Sequence, residues 1–394
     1  MANLHCHTFF SFNAYGHSPT SLAWLARREG WRLVGSVDFD VLDGVDEMVA
    51  GIETRVHVPE LAAHEINSPG EPGIAYHMGI GFVSSRVPEG VAPILTSLRE
   101  RASRRTRDMM ARINRHLAPL TVEWERDVLP LTPAGNATER HLLAAYLRAA
   151  AQLRDPAGFW ADRLDRTRAQ VEPLLADPVR LQNLVRARLM KRGGVGYVQP
   201  ESGAFPSVDE FHDLILACGA LPCATWLDGT SSGEAAAAEL LDLWLARGVA
   251  VLNIIPDRNW NIADPESRAL KVRKLHEIAR LAAERDLPLI AGTEMNAPGQ
   301  KRVDDFDAPE LAPLHAAFME GGYMVYGHTV LQRALALGWG SEWARELLPG
   351  RRQCNAFFAQ VGRLAEPGEG LACCLEALAH APSPAQVLAR LRAR

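Results

Sequence analysis

Seven short apolar runs, at 3–8, 33–38, 57–67, 74–82, 221–227, 249–255 and 287–293, punctuate this chain, and segments of helical periodicity separate most of them. Few architectures accept that order. Parallel strands need long crossovers, and the crossover helices cover the sheet. The alternation predicts a closed sheet of parallel strands, with chemistry at the carboxyl ends, where the strands run into their loops. Helices are expected at 21–29, 208–218, 234–247 and 267–285, the last ended by Pro288.

The alternation stops between about 84 and 206, where Arg-, Ala- and Leu-rich segments of helical period take over. The expected organisation is a barrel formed by 1–83 and 207–299, a helical insertion at 84–206, and a helical C-terminal extension at 300–394 that includes the cap Ser383-Pro384. The insertion's first helix, around 98–117, carries Arg99, Arg101, Arg104, Arg105, Arg107, Arg112 and Arg115. Glu100 and Asp108 interrupt this series, so a solvated face is favoured over a phosphate-tracking one.

Composition narrows the partners. The 394 residues are 47% hydrophobic, enough for a full core, and the formal net charge of -5 opposes wholesale binding to nucleic acid or acidic membranes. A small-molecule substrate is expected, with no nucleic-acid or membrane partner; oligomeric state is left open. The six cysteines form no CxxC pair and no regular framework, which reads as reduced thiols. With no signal-like leader after Met1 and no membrane-length apolar run, a cytoplasmic location is expected.

Polar groups fall at the ends of the apolar runs. His5 and His7, at i and i+2 on a strand, point to one side, so one metal can take both. Glu65 follows the third run, His77 lies inside the fourth, and Glu294 ends the last. Carboxylates with imidazoles suit zinc, manganese or iron. Asp38, Asp40 and His17 are candidate proton-transfer groups, while Arg258, Lys301 and Arg302 could neutralise an anionic substrate. His328 is read as structural.

These residues resemble the polymerase and histidinol phosphatase superfamily, from His5 to about Gly299. The resemblance implies a distorted (β/α)7 TIM-like barrel and an active site with up to three metals. His5, His7, Glu65 and His77 match the family's ligands in type and order, and Glu294 stands where the family has Asp. Val37-Asp38-Phe39-Asp40 occupies the place of Thr-Asp-His-Asp, so Phe39 replaces a ligand histidine. Ala224-Thr225-Trp226-Leu227 occupies the place of Ala-His-Pro, so Trp226 replaces another, and Asn296 replaces the histidine of the terminal Asp-x-His.

By that mapping one metal site is complete, with a second, weaker one beside it. A divalent metal is therefore expected, with Asp38, Asp40 and Arg258 as catalytic candidates and Trp226, Asn296, Lys301 and Arg302 as substrate-binding ones. The resemblance implies a metal-dependent phosphoesterase acting on a small organic phosphate. Two alternatives stand beside it: hydrolysis of a non-phosphate bond by one metal, and a degenerate barrel that binds a metal or ligand as a regulatory module.

Overall fold

Seven strands follow one another around a single sheet in chain order: β1 (Ala2–Cys6), β2 (Leu33–Phe39), β3 (Ala50–His57), β4 (Ile74–Phe82), β5 (Leu221–Trp226), β6 (Val251–Ile254) and β7 (Leu289–Ala291). The structure is a computed structural model and describes residues 1–200, 203–368, 370–378 and 382–394. Beyond β7, the Glu294 N–H donates to the carbonyl of His5 (2.8 Å), and the His7 N–H donates to the carbonyl of Glu294 (2.7 Å). These bonds draw the last strand onto the first. Gly292 permits the approach, since a Cβ there would overlap His5. The architecture is a distorted TIM-like barrel, as the resemblance implies, and not the all-parallel sheet that the alternation alone predicts.

The distortion has a local cause. β4 runs antiparallel to both β3 and β5, whereas the other paired strands are parallel. Between β3 and β4 the chain makes only a short turn at Pro59–Leu61, so there is no crossover helix to carry it back to the other end.

Strand alternation separates an interior from a helix-facing exterior. Val37, Met78, Cys223, Val251 and Ile290 come from five strands into one apolar cluster inside the barrel. Residues of the opposite parity, Ile52, Ala224, Trp226, Leu252 and Leu289, pack outward instead. Helices cover that outer face: α1 (Pro19–Arg28) after β1, and later in the chain α7 (Val208–Ala217), α8 (Ala237–Ala246), the single turn α9 (Asp257–Trp260) and α10 (Pro265–Glu284). Ser18, Ser207 and Asp264 cap α1, α7 and α10 by accepting first-turn N–H groups.

Between β4 and α7 lie α2 (Ala92–Leu117), α3 (Glu139–Ala150), α4 (Pro156–Arg163), α5 (Arg168–Leu175) and α6 (Pro178–Leu189). They share an apolar core around Trp124, Leu142, Tyr146 and Trp160. The arginines of α2 divide their work. Arg107 pairs with Glu125 within the insertion, Arg99 reaches Asp43 (3.5 Å), and Arg101 reaches Glu210 (3.3 Å). After β7 come α11 (His315–Leu335), α12 (Glu342–Leu347), α13 (Arg351–Leu364), α14 (Leu371–Glu376) and α15 (Pro384–Arg392), whose apolar faces share the cluster that floors the barrel. Among the described residues, no helix is long and apolar enough to cross a membrane.

Four buried histidines tie stability to pH. His77 and His212 share an Nε2 to Nε2 contact of 2.8 Å between β4 and α7, and His328 accepts the Trp339 N–H (3.0 Å) at the base of α11. Burial lowers the pKa of both members of the pair, and pushes His141 and His328 down to about 4. A histidine neutral in the fold but protonated when unfolded contributes stability above pH 6.5, and that stability is lost as pH falls. The loss is about 1.4 kcal/mol per pH unit for each such group. The melting temperature should therefore drop between pH 6.5 and 5, before most carboxylates titrate. His328→Gln should flatten that slope; an unchanged slope would show that His328 titrates normally in the fold.

Candidate metal centre

His5 and His7 project from β1 and its end into the barrel, and Glu53 projects from β3 to meet them. All three are buried, and one ligand atom from each lies within 4.8 Å of the others. Glu53 Oε2 is 3.3 Å from the Nε2 of His5 and 3.3 Å from the Nε2 of His7. Burial would raise the Glu53 carboxyl, but with the two imidazoles protonated and donating to it their charge outweighs burial and holds it at about 2. Burial would also lower His5, yet Glu53, with help from Glu294, brings it above its ordinary value.

The hydrogen bonds behind the cluster set the tautomer of His7. Asp38 accepts from Thr8 N–H (2.8 Å), Thr8 Oγ1 (2.6 Å) and Ser11 Oγ (2.6 Å). With its one proton committed to Asp38, Ser11 can only accept from His7 Nδ1, 3.1 Å away. His7 therefore carries its proton on Nδ1 and turns the Nε2 lone pair toward the Glu53 carboxylate. That Nε2 is buried without a hydrogen-bond partner. In the neutral form of His7 that lone pair and the carboxylate face each other across a gap that a proton or a cation must fill, and the donor set fits a divalent metal.

Asn253, on β6, supports His5 in the same way. Its Nδ2 lies 3.0 Å from His5 Nδ1, while its Oδ1 is buried without a partner. Exchanging amide oxygen and nitrogen, a choice fixed only by the bonding network, lets Oδ1 accept from His5 Nδ1–H and frees His5 Nε2 for a metal. Phe39 stacks on His7 with ring centroids 4.4 Å apart, filling one side of the cluster with an apolar ring.

Several candidate residues lie elsewhere. Glu65 is not on the third strand, which is Ala50–His57; it lies in the following loop, 3.8 Å from Arg192, and Glu53 is the strand's inward carboxylate. His77 is on the wrong face of its strand. With Met78 directed inside, alternation turns His77 outward onto His212, Phe211 and Trp244. Trp226 likewise packs outward with the helices, and its neighbour Thr225 takes the inward parity. The second, weaker metal site expected from Glu65, His77 and the Trp226 strand is therefore not assembled. Among the described residues, His5, His7 and Glu53 are the only three metal-ligating side chains clustered this closely.

Glu294 borders the cluster without joining it. Its Oε2 accepts from Arg258 Nη2 (2.6 Å) and from Gln300 (3.1 Å), and burial, which would raise its pKa, is outweighed by Arg258 and His5. Glu294 and Met295 both adopt left-handed φ, 64° and 56°, a strained pair of non-glycine residues beside the site. The Asp38 carboxylate is taken up by Thr8 and Ser11, and through Ser11 it reaches His7. Asp40 sits where β2 meets β3: its N–H donates to the Glu53 carbonyl (2.9 Å), and its carboxylate accepts from Thr54 (2.6 Å). Burial raises the Asp40 carboxyl against the opposing charge of Arg105.

Lys301 pairs with Asp257 (3.2 Å) and Arg302 with Glu29 (2.5 Å), so both are engaged with carboxylates outside the cluster. Asn296 lies in the loop beyond Glu294, and His17 meets Ser21 in the first turn of α1. A cavity of 740 Å³ at the opposite end of the barrel, between the starts of β1–β3 and helices α11 and α14, is mainly apolar and holds none of these groups.

Neither a protein-family model nor a curated protein matches the chain. Among solved structures the chain is similar to an amidohydrolase from Chromobacterium violaceum, described with bound sulfate and no metal. The TM-score is 0.50 at 17% identity, covering 80% of this chain and 96% of that one. The likeness is one of fold, and it agrees with the barrel described above.

Proposed function

We propose that this protein is a metal-dependent hydrolase that cleaves a phosphate ester of a small organic molecule. The observation that carries the metal reading is the buried, unpartnered lone pair of His7, directed at a carboxylate that also faces His5. His5, His7 and Glu53 would hold the ion. When bound, such an ion supplies Lewis acidity and an activated water.

The remaining work falls to side chains. Arg258, half-exposed at the mouth and tied to Glu294, is placed to meet the charge of a phosphoryl group. Asp40, whose carboxyl burial raises above its ordinary value, is the candidate to protonate the leaving oxygen. Phe39, packed on His7, shields the cluster from water on that side. Cleavage of a carbon–nitrogen bond is the second reading, prompted by the description of the structurally similar protein as an amidohydrolase.

Turnover on parallel panels of phosphate esters and amides, with zinc, manganese or iron supplied, separates the readings. Phosphate release that disappears in His7→Ala is the expected result. Amide cleavage without phosphate release would favour the second reading, and tight ligand binding without turnover would replace both with a binding module.

A further inference from the structure

One arginine of the insertion, Arg140, is buried on the segment that meets the barrel. It occupies the first turn of α3, after the cap Thr138. The same end of the insertion is fastened to the barrel mouth. Asn136 Nδ2 donates to the carbonyl of Phe39 (2.8 Å) at the end of β2 and approaches that of Phe10 (3.4 Å), while His141 meets Phe12 edge-on (5.2 Å) in the loop after His7. Arg140 therefore belongs to the rim above the His5, His7 and Glu53 cluster.

Its surroundings are unfavourable for a cation. Arg140 is only 9% exposed, its Nη1 is buried without a hydrogen-bond partner, and no ion pair neutralises it among the described residues. The adjacent carboxylate, Glu139, is taken by Arg186 and by Lys191 (3.2 Å). A cation in the first turn also opposes the helix dipole. Burial and Arg186 push its pKa down to about 10, and Glu294 is the barrel carboxylate whose charge pulls the other way. Buried donors left without partners cost stability, and such costs concentrate where a ligand later supplies the partner.

We infer that Arg140, on the insertion end fastened to the barrel mouth, and Arg258, at the mouth beside Glu294, form a subsite for the phosphoryl oxygens of the substrate. Guanidinium donors suit this role because each presents a planar fork to two oxygens. The inference rests on the proposed phosphate-ester reading and adds that the insertion is part of substrate recognition. Arg140 is thereby a determinant of substrate charge.

The test is thermal melting of the metal-free full chain with and without inorganic phosphate at fixed ionic strength, in the wild type, Arg140→Met and Arg140→Lys. Phosphate should stabilise the wild type, and its affinity should fall at least tenfold in Arg140→Met. Without phosphate, Arg140→Met should melt at or above the wild-type temperature, since an unpaired buried charge is removed; Arg140→Lys should recover part of the phosphate response. A wild type indifferent to phosphate, an Arg140→Met affinity within twofold of wild type, or an equal response to acetate would overturn the subsite. So would lower melting of both variants without phosphate, which would make the guanidinium a structural tie. The two proposals fail separately. Phosphate esters hydrolysed equally well without Arg140 would remove only the subsite, whereas phosphate bound through Arg140 with no ester turned over would remove only the reaction.

Discussion

Glu53→Gln should abolish metal-dependent turnover while leaving the barrel folded, because it keeps the side chain's shape and removes the charge that faces both imidazoles. A loss of at least about 10³ in kcat/KM is expected, equivalent to roughly 4 kcal/mol of transition-state stabilisation. The same change should remove metal-induced thermal stabilisation. An ion at a thousand times its Kd adds about 4 kcal/mol to the fold, and a site with no measurable affinity adds none. Metal-free wild type and variant should melt within a few degrees of each other, which separates loss of the site from loss of the fold. If zinc or manganese raised both melting temperatures equally, the ion would be bound elsewhere.

The second large effect concerns the C-terminal helices. Gly327 on α11 lies against the carbonyl of Phe358 on α13, Gly362 on α13 lies against the carbonyl of Tyr323 on α11, and Gly321 lies against the carbonyl of Leu289 on β7. A Cβ at any of the three would overlap backbone rather than a mobile side-chain end. Gly327→Val should therefore cost about 3 kcal/mol or more, at or beyond the upper end for overpacking, against a total stability on the order of 5–15 kcal/mol. Urea unfolding measures it, with Gly340→Ala as control because that site has open space. An unchanged midpoint for Gly327→Val would mean that the two helices can separate without loss.

The three glycines of α11 show how far sequence alone reaches. Gly321, Gly322 and Gly327 weaken a helix by about 1 kcal/mol each relative to alanine, so their presence in a 21-residue helix signals close packing without naming the partner. The barrel was legible because alternating apolar runs and helical segments leave few ways to bury both. The antiparallel β4 was not, since strand direction depends on whether a crossover helix exists, and the polar stretch before His77 gave no boundary.

At the site, His5 and His7 were legible because they share strand parity at the start of the chain. Glu53 was missed through a misplaced boundary. The run Gly51-Ile52-Glu53-Thr54-Arg55-Val56 carries the β-branched, alternating pattern of a strand ended before Pro59, and that signal could have found it. Taking the strand as 57–67 promoted Glu65, a loop residue, in its place. His77 failed for a related reason. Its strand is apolar on both faces, so hydrophobicity could not fix parity, and only Met78 in the interior shows that His77 faces the helices. Arg140 lay in an insertion whose contact with the barrel no local pattern reveals.

Elemental analysis of protein purified without metal-affinity resin, in the wild type, Glu53→Gln and His77→Gln, tests the metal centre most directly. One equivalent of divalent metal in the wild type, lost in Glu53→Gln and retained in His77→Gln, is the expected result. Metal retained in Glu53→Gln, or absent from the wild type even after incubation with zinc, manganese or iron, would contradict the assignment of His5, His7 and Glu53.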